Sequence, residues 1–274
     1  MKLADLVRFA PLFVLLAFAG TEARAESTEC SQNSFCYCVH DDLKTVISKR
    51  VDEIRARIAA QRAQGKAIGY LSIPISTVAG SYFGVNAKVA ARTKERVEER
   101  FGVRLLWLLN TAANEFALPR SASGADYMLM WTRVLEGNDG LGRDFDFVYF
   151  AGPADFAEFF SLDGRGDLEK LEQYYDGLRK TDSGLASVNR TDFRNYYGLR
   201  ASVAFSFGSH DEWNIVRKIN ERRKEKKDGE DSFGIASQIA IMFNGSSVAP
   251  ALFEAATATG NEGQCNLPGQ TERK

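Results

Sequence analysis

The segment Gly208-Ser209-His210-Asp211-Glu212 contains residue types used in acid–base catalysis. His210 is one of only 2 histidines in the chain, and histidine is the side chain that titrates near neutral pH. With Asp211 beside it, His210 is suited to act as a general acid or base. Ser209 is a weaker candidate for a nucleophile, because the sequence around it lacks the second glycine of the G-x-S-x-G motif. The alternative is structural: Ser209 or Asp211 caps a helix, and His210 is solvated at the start of that helix.

Glu115 and Asp155 are a second candidate catalytic pair. Two carboxylates that face each other across a cleft can carry out the acid–base chemistry of glycoside hydrolysis. Glu115 lies in the stretch TAANEFALP (111–119), and an apolar environment of this kind raises the pKa of a carboxyl group. The alternatives are that Asp155, just after Gly152-Pro153, is a helix cap and that Glu115 is an exposed loop residue.

Several polar side chains follow short apolar runs that are typical of strands. Because ligands of open parallel sheets bind at the carboxyl ends of the strands, we predict that these side chains bind a small polar molecule. The predicted ligand-binding residues are Ser76, Tyr82, Asn110, Ser209, Asn244 and Ser246. Polar strand-to-helix turns have the same composition, so a purely structural role is the alternative.

The elements that position these residues alternate regularly. Apolar runs predict strands at 67–73, 103–109, 145–150, 201–207 and 235–243. Helical patterns cover 85–101, 123–135, 154–160, 167–179, 211–224 and 247–256. Such alternation indicates parallel strands joined by right-handed crossovers, with helices on both faces. We therefore predict an α/β fold with an open, doubly wound, mostly parallel five-stranded sheet of the Rossmann-like, three-layer type.

An amphipathic helix is predicted at 41–64, before the first strand. Its apolar residues recur at three- and four-residue spacing and form a single stripe; they are Leu43, Ile47, Val51, Ile54 and Ile58. The stripe is expected to pack on the domain core, and a coiled-coil dimer seam is the alternative. The residues before it, 26–40, are predicted to form an irregular arm held by disulfides.

The chain contains 4 cysteines, Cys30, Cys36, Cys38 and Cys265. An even number in an exported protein favours disulfides. Cys36 and Cys38 are too close in sequence for an unstrained bridge. We therefore expect one of the first three cysteines to pair with Cys265 and the other two to pair with each other. A metal site that includes Cys36, Cys38 and His40 is the alternative, although zinc ligands are usually spaced C-x(2–4)-C.

The first 25 residues have the layout of a secretory signal peptide. Lys2 and Arg8 precede the apolar run 9–20, and Ala23-Arg24-Ala25 is a small-x-small cleavage site. We expect cleavage before Glu26 and a periplasmic or secreted protein that does not associate with a membrane after cleavage. The predicted organisation is a signal peptide at 1–25, an arm and helix at 26–64, an α/β domain at 65–260 and an irregular tail at 261–274.

The composition excludes some classes of function. The formal net charge is −1, so the chain lacks the basic excess of a nucleic-acid-binding protein. No cofactor motif and no metal site are predicted. YLSIPIS (70–76) and the following loop with Gly80, Tyr82 and Gly84 are similar, over about ten residues, to the opening of nucleoside deoxyribosyltransferase-like domains. The Asp-Ser-Gly and Glu element of that family is absent, so no site residue is assigned from it.

Two functions follow as hypotheses. The first is a hydrolase or group-transfer enzyme that acts by acid–base catalysis on a sugar, nucleoside or phosphate ester. The second is a non-catalytic periplasmic ligand-binding or protein-interaction module. The convergence of His210, Asp211, Glu115 and Asp155 in one pocket would favour the first hypothesis.

Overall fold

A computed structural model describes residues 24–75, 80–199, 206–227 and 238–265. These residues form a mixed α/β fold. The strands are β1 (Glu26–Cys30), β2 (Cys36–His40), β3 (Ala67–Ser72), β4 (Leu106–Asn110), β5 (Phe147–Phe150), β6 (Ala240–Phe243) and β7 (Ser246–Ser247). The helices are α1 (Lys44–Ala63), α2 (Phe83–Phe101), α3 (Gly124–Glu136), α4 (Pro153–Phe160), α5 (Asp167–Leu178), α6 (Arg190–Gly198), α7 (Phe207–Lys227) and α8 (Pro250–Phe253).

The main sheet has the strand order β4-β3-β5-β6-β7. The first four strands are parallel to their neighbours, and β7 pairs antiparallel with β6. Because β4 and β5 lie on opposite sides of β3, the direction of winding reverses between β3 and β5. This mostly parallel arrangement is compatible with the Rossmann-like fold predicted from the sequence.

Apolar side chains fill both faces of the sheet, because successive residues of a strand point to opposite sides. On one face, Tyr70 of β3 packs in a cluster with residues of α1, α3 and α7. On the other face, Leu71 packs with residues of α2, α4, α5 and α6. These are called the α7 face and the α2 face below.

Two details of the predicted sheet and its last helix are corrected. The fifth strand of the sheet is the short antiparallel β7, and Phe207, the last residue of the predicted strand 201–207, begins α7. Residues 201–205 of that predicted strand lie outside the described residues. The helix predicted at 247–256 is confined to α8, because Ser247 pairs with Met242 in the sheet and Pro250 begins the helix.

The N-terminal arm is a β-hairpin rather than an irregular segment. Its strands β1 and β2 pair antiparallel, and the paired residues Cys30 and Cys36 form a disulfide. A second disulfide joins Cys38 to Cys265, 227 residues further along the chain. The expected pairing pattern is therefore confirmed, and the Cys36–Cys38 bridge is not formed. The two disulfides indicate an environment outside the cytoplasm.

Helix α1 confirms the predicted amphipathic helix. Its four buried residues are Ile47, Val51, Ile54 and Ile58. They belong to the core cluster on the α7 face, so the stripe is occupied within the protein and does not form a free coiled-coil seam. The predicted signal peptide lies outside the described residues except for Arg24 and Ala25. Among the described residues, no helix has the length and apolar character needed to cross a bilayer.

Candidate functional site

A cavity of about 310 Å³ lies beyond the carboxyl ends of β3 and β4. Its walls also include residues of α3 and the first turns of α7. We call it the Glu212 pocket; its described lining residues are Ile73, Ile75, Phe83, Thr111, Ala112, Ala113, Phe116, Ala117, Gly124, Tyr127, Met128, Trp131, Ser206, Gly208, Ser209, Glu212 and Asn261. Ligand sites of open α/β sheets lie at this edge.

Glu212 is the ionisable group of this pocket. The residue is 6% exposed, and its two carboxylate oxygens accept hydrogen bonds from the hydroxyls of Tyr70 and Ser72. Tyr70 and Ser72 are two residues apart on β3, so both point to the α7 face of the sheet. Burial raises the pKa of Glu212 to about 7, although these two hydrogen bonds act in the opposite direction. The carboxyl group can therefore release and regain a proton near neutral pH.

Ser209 lies one helical turn before Glu212 on the same face of α7. It is 1% exposed, and its hydroxyl oxygen has no hydrogen-bond partner among the described residues. The hydroxyl of Ser206 accepts a hydrogen bond from the backbone N–H of Ser209, at 3.3 Å, and the Ser206 carbonyl accepts one from His210. Ser206 thus caps α7, and the Ser209 hydroxyl is not used for capping.

Aromatic side chains form one side of the pocket. The ring of Trp131 lies edge-on to Tyr70 at 5.9 Å and to Phe116 at 6.0 Å between ring centroids. Such edge-to-face contacts fix the orientation of the rings. The indole N–H of Trp131 is buried and has no hydrogen-bond partner among the described residues. The carboxyl group that faces the pocket is therefore set in a rigid, largely apolar wall.

His210 does not face the Glu212 pocket. Residues two apart on a helix point about 200° away from each other, and His210 lines a different cavity of about 510 Å³. That cavity lies between α7 and the segment from β6 to α8, and it includes Trp213, Phe243 and the predicted ligand residue Ser246. The Nδ1 atom of His210 has no hydrogen-bond partner among the described residues.

Asp211 holds the C-terminal segment against α7. Its carboxylate accepts hydrogen bonds from the backbone N–H groups of Gly260, at 3.0 Å, and Asn261, at 3.1 Å, and from the Asn261 side chain. Asp211 is 2% exposed, and burial raises its pKa. Its partners are backbone and amide groups of this segment, and no hydrogen bond joins it to His210.

Glu115 and Asp155 are not brought together. Glu115 is exposed and paired with Arg57 of α1, on the α7 face. Asp155 is buried in the first turn of α4, where it accepts a hydrogen bond from the Gly152 N–H at 2.7 Å and pairs with Arg96 of α2. The partners of the two carboxylates come from opposite faces of the sheet, so they do not flank one cleft.

The other predicted ligand residues are dispersed. Asn110 accepts a hydrogen bond from the Ala112 N–H at 3.0 Å, and Asn244 accepts one from the Ala154 N–H at the start of α4. The Tyr82 hydroxyl donates to Asp182 at 2.8 Å, and burial together with this acceptor raises the pKa of Tyr82 to about 12. Ser76 lies outside the described residues. Of the predicted set, Ser209 lines the Glu212 pocket.

No metal site was predicted from the sequence. In the structure, one group of side chains places potential metal-ligand atoms close together. Glu26, Cys38 and Cys265 place one such atom each within 4.8 Å of the others. Cys38 and Cys265 are joined in a disulfide, and a metal binds the thiolate form of cysteine. In the oxidised protein this group therefore offers only the carboxylate of Glu26.

Glu212 is the residue that the sequence analysis did not select. Helical spacing was the sequence signal that could have identified Glu212. It follows Ser209 by three residues and so lies on the same side of the predicted helix. The hydrogen-bond donors to Glu212 were also visible in the sequence, since Tyr70 and Ser72 alternate with apolar residues in the first predicted strand. Comparison of the chain with protein-family models, curated proteins and solved structures gave no match of any of the three kinds.

Proposed function

We propose that the protein is a hydrolase or group-transfer enzyme that acts on a small molecule in the Glu212 pocket by acid–base catalysis. The observation that supports this proposal is the buried carboxyl group of Glu212, hydrogen-bonded by Tyr70 and Ser72, at the edge of a cavity large enough for a small ligand. The proposal keeps the reaction class expected from the sequence and assigns it to a different residue.

The role of Glu212 is proton transfer. As a carboxylate, it removes a proton from an attacking water or acceptor hydroxyl while the oxygen of that group forms its bond to the substrate. As a carboxylic acid, it returns the proton to the departing oxygen when the bond to the leaving group breaks. A pKa of about 7 suits both steps, because neither protonation state is rare at neutral pH. Tyr70 and Ser72 are positioning residues that hold the carboxyl group.

The proposed location is the periplasm or the extracellular space. The signal-peptide layout of residues 1–25 and the two disulfides support it. N-terminal sequencing of protein exported by a bacterial host tests this directly. We expect the mature chain to begin at Glu26, and retention of residues 1–25 on the exported protein would contradict the proposal.

The catalytic proposal is tested with 4-nitrophenyl acetate, a 4-nitrophenyl glycoside and 4-nitrophenyl phosphate as chromogenic substrates of the oxidised protein. We expect the wild type to release nitrophenol from the ester or the glycoside, with a kcat/KM that depends on a group titrating near the pKa of about 7. Glu212→Gln is expected to lower kcat/KM by about 100-fold, the usual contribution of a general acid or base.

Glu99→Gln is the matched control, because Glu99 is an exposed carboxylate on α2, outside the pocket. It should leave kcat/KM unchanged. Circular dichroism checks that the Glu212→Gln protein is folded. An absence of turnover of all three compounds, or turnover by a folded Glu212→Gln variant at the wild-type rate, would overturn the proposal. Binding of small ligands without turnover would instead favour the non-catalytic ligand-binding function.

A further inference from the structure

The walls of the Glu212 pocket are suited to bind an apolar ring. Phe83, Phe116, Tyr127 and Trp131 contribute aromatic groups to the cavity. The 112–113 segment contributes two alanines, whose small side chains leave room next to the backbone. Aromatic rings are held well by edge-on and offset contacts with other rings. A ligand that is polar all round would leave its hydrogen-bonding groups without partners against these walls.

The charged groups of the pocket also restrict the ligands that it can bind. Among the described lining residues, Glu212 is the only Asp, Glu, His, Lys or Arg. Arg57 lies near the aromatic wall, but it stacks on Phe116 at 5.5 Å and is paired with Glu115. An anionic ligand would therefore enter a low-dielectric cavity whose described walls hold a carboxylate and no compensating cation, which is unfavourable.

The size of the cavity limits the ligand. A volume of about 310 Å³ lies at the lower end of the range for small-molecule pockets. It encloses a single substituted ring, or two small fused rings, so most of an oligosaccharide or a dinucleotide would lie outside it. The polar side chains next to this volume include Ser209, Thr111 and Asn261, so the ligand can carry one polar substituent.

We propose that the Glu212 pocket selects a molecule built on one apolar ring with a single polar substituent and no negative charge, and that it discriminates against carboxylates and phosphate esters. The inference rests on the proposed function in treating this ligand as the substrate. It narrows that function, because phosphate esters are removed from the substrate classes considered from the sequence, and so are free sugars and nucleosides, which carry several polar groups.

The test measures the binding of three probes of matched size by isothermal titration calorimetry: benzamide, benzoate and benzylamine. At pH 8 the Glu212 carboxyl group is mainly ionised. We expect benzoate to bind the wild type at least about tenfold more weakly than either benzamide or benzylamine, since it must approach a like charge in a cavity of low dielectric. At pH 5 Glu212 is mainly protonated while benzoate is still largely charged, so the difference should shrink.

Variants assign the binding to this pocket. Glu212→Gln removes the negative charge and should abolish most of the difference between benzamide and benzoate at pH 8. Ala117→Trp places a large side chain at an exposed position of the pocket lining and should prevent benzamide binding. Glu99→Gln should bind all three probes as the wild type does. Thermal unfolding of each variant shows whether it is folded, so loss of binding is interpreted only for folded protein.

The outcomes separate the two proposals. Benzoate binding as tightly as benzamide or benzylamine at pH 8, or no binding of benzamide at all, would overturn the ligand assignment. Benzamide binding with no turnover of the nitrophenyl compounds would overturn the enzymatic function and leave the ligand assignment supported. Turnover of 4-nitrophenyl phosphate in preference to the neutral compounds, lost in Glu212→Gln, would support the function and overturn the ligand assignment.

Discussion

The hydroxyl of Tyr70 donates a hydrogen bond to the carboxylate of Glu212, although 142 residues separate them in the chain. The bond connects the inner strand β3 to the first turns of α7 and holds the carboxyl group at the pocket. Because both residues are buried, the bond is shielded from water, where it would be weaker.

Glu212→Gln should stabilise the protein increasingly as the pH rises. The pKa of Glu212 is raised from 4.5 to about 7, so the folded state favours the protonated form. The protonated carboxyl group of Glu212 contributes its full stabilisation of the folded state below pH 4.5, and this stabilisation is lost as the pH rises through 7. The accumulated loss is about 3 kcal/mol. The measurement is the free energy of urea unfolding of the wild type and the variant between pH 5 and pH 8.

Glu99→Gln serves as the control for this experiment, because it replaces an exposed carboxylate on α2, outside the pocket, by the same amide. If the stability of Glu212→Gln relative to wild type stays constant from pH 5 to pH 8, the carboxyl group does not titrate in that range and the acid–base role of Glu212 fails with it.

The two disulfides should contribute unequally to stability. The Cys38–Cys265 bridge has a sequence separation of 227 and the Cys30–Cys36 bridge a separation of 6. In the chain-entropy model, the long loop contributes about 5 kcal/mol and the short loop about 2 kcal/mol. Urea unfolding of the double variants Cys38→Ser/Cys265→Ser and Cys30→Ser/Cys36→Ser measures both contributions. A larger loss from the short loop would show that the hairpin, rather than closure of the chain, dominates.

Asp155→Ala should reduce stability without affecting ligand binding. The substitution removes a hydrogen bond from the Gly152 N–H, another from the Tyr149 hydroxyl, and the ion pair with half-buried Arg96. Removing one partner of a buried pair costs about 3 kcal/mol. The measurements are urea unfolding and the Kd of benzamide. If stability is unchanged while binding or turnover is lost, Asp155 belongs to the functional site after all.

Asp211→Ala should release the C-terminal segment. Its carboxylate accepts the backbone N–H groups of Gly260 and Asn261, so both amides should exchange hydrogen faster in the variant. Gly260 is exposed and Asn261 half-buried, so water can replace the carboxylate, and the loss is about 1 kcal/mol for each hydrogen bond. Hydrogen exchange followed by mass spectrometry is the measurement, and amides in the middle of α1 are the internal reference. Unchanged exchange at 260–261 would contradict the role given to Asp211.

Most of the α/β architecture could be predicted because hydrophobic periodicity reports burial. The run AIGYLSI is buried almost throughout as β3, and the stripe of α1 packs into the core. The hairpin could not be predicted in this way, since β1 and β2 are held by pairing and a disulfide rather than by a continuous apolar pattern. Strand β7 has only two residues, which is too few for any periodicity.

The site was harder to predict than the fold, because it depends on which side of a helix faces a cavity. His210 and Glu212 are both polar residues near the start of α7, and composition favoured the histidine. The helical rotation between them places Glu212 toward β3 and His210 toward the segment from β6 to α8. A sequence does not show where a cavity lies. The presence of Asp211 next to His210 was therefore a poor guide to the residue that faces the pocket.

The bond between Cys38 and Cys265 also has a mechanical consequence. If the chain were pulled from Glu26 and from the residues beyond Cys265, tension would pass from β1 and β2 through the sulfur atoms to the other end. Residues 39–264, which include the whole parallel sheet and the Glu212 pocket, would bear no load. A single molecule stretched in this way should extend only by the hairpin and the tail until the bridge is reduced, and then by the length of the shielded domain.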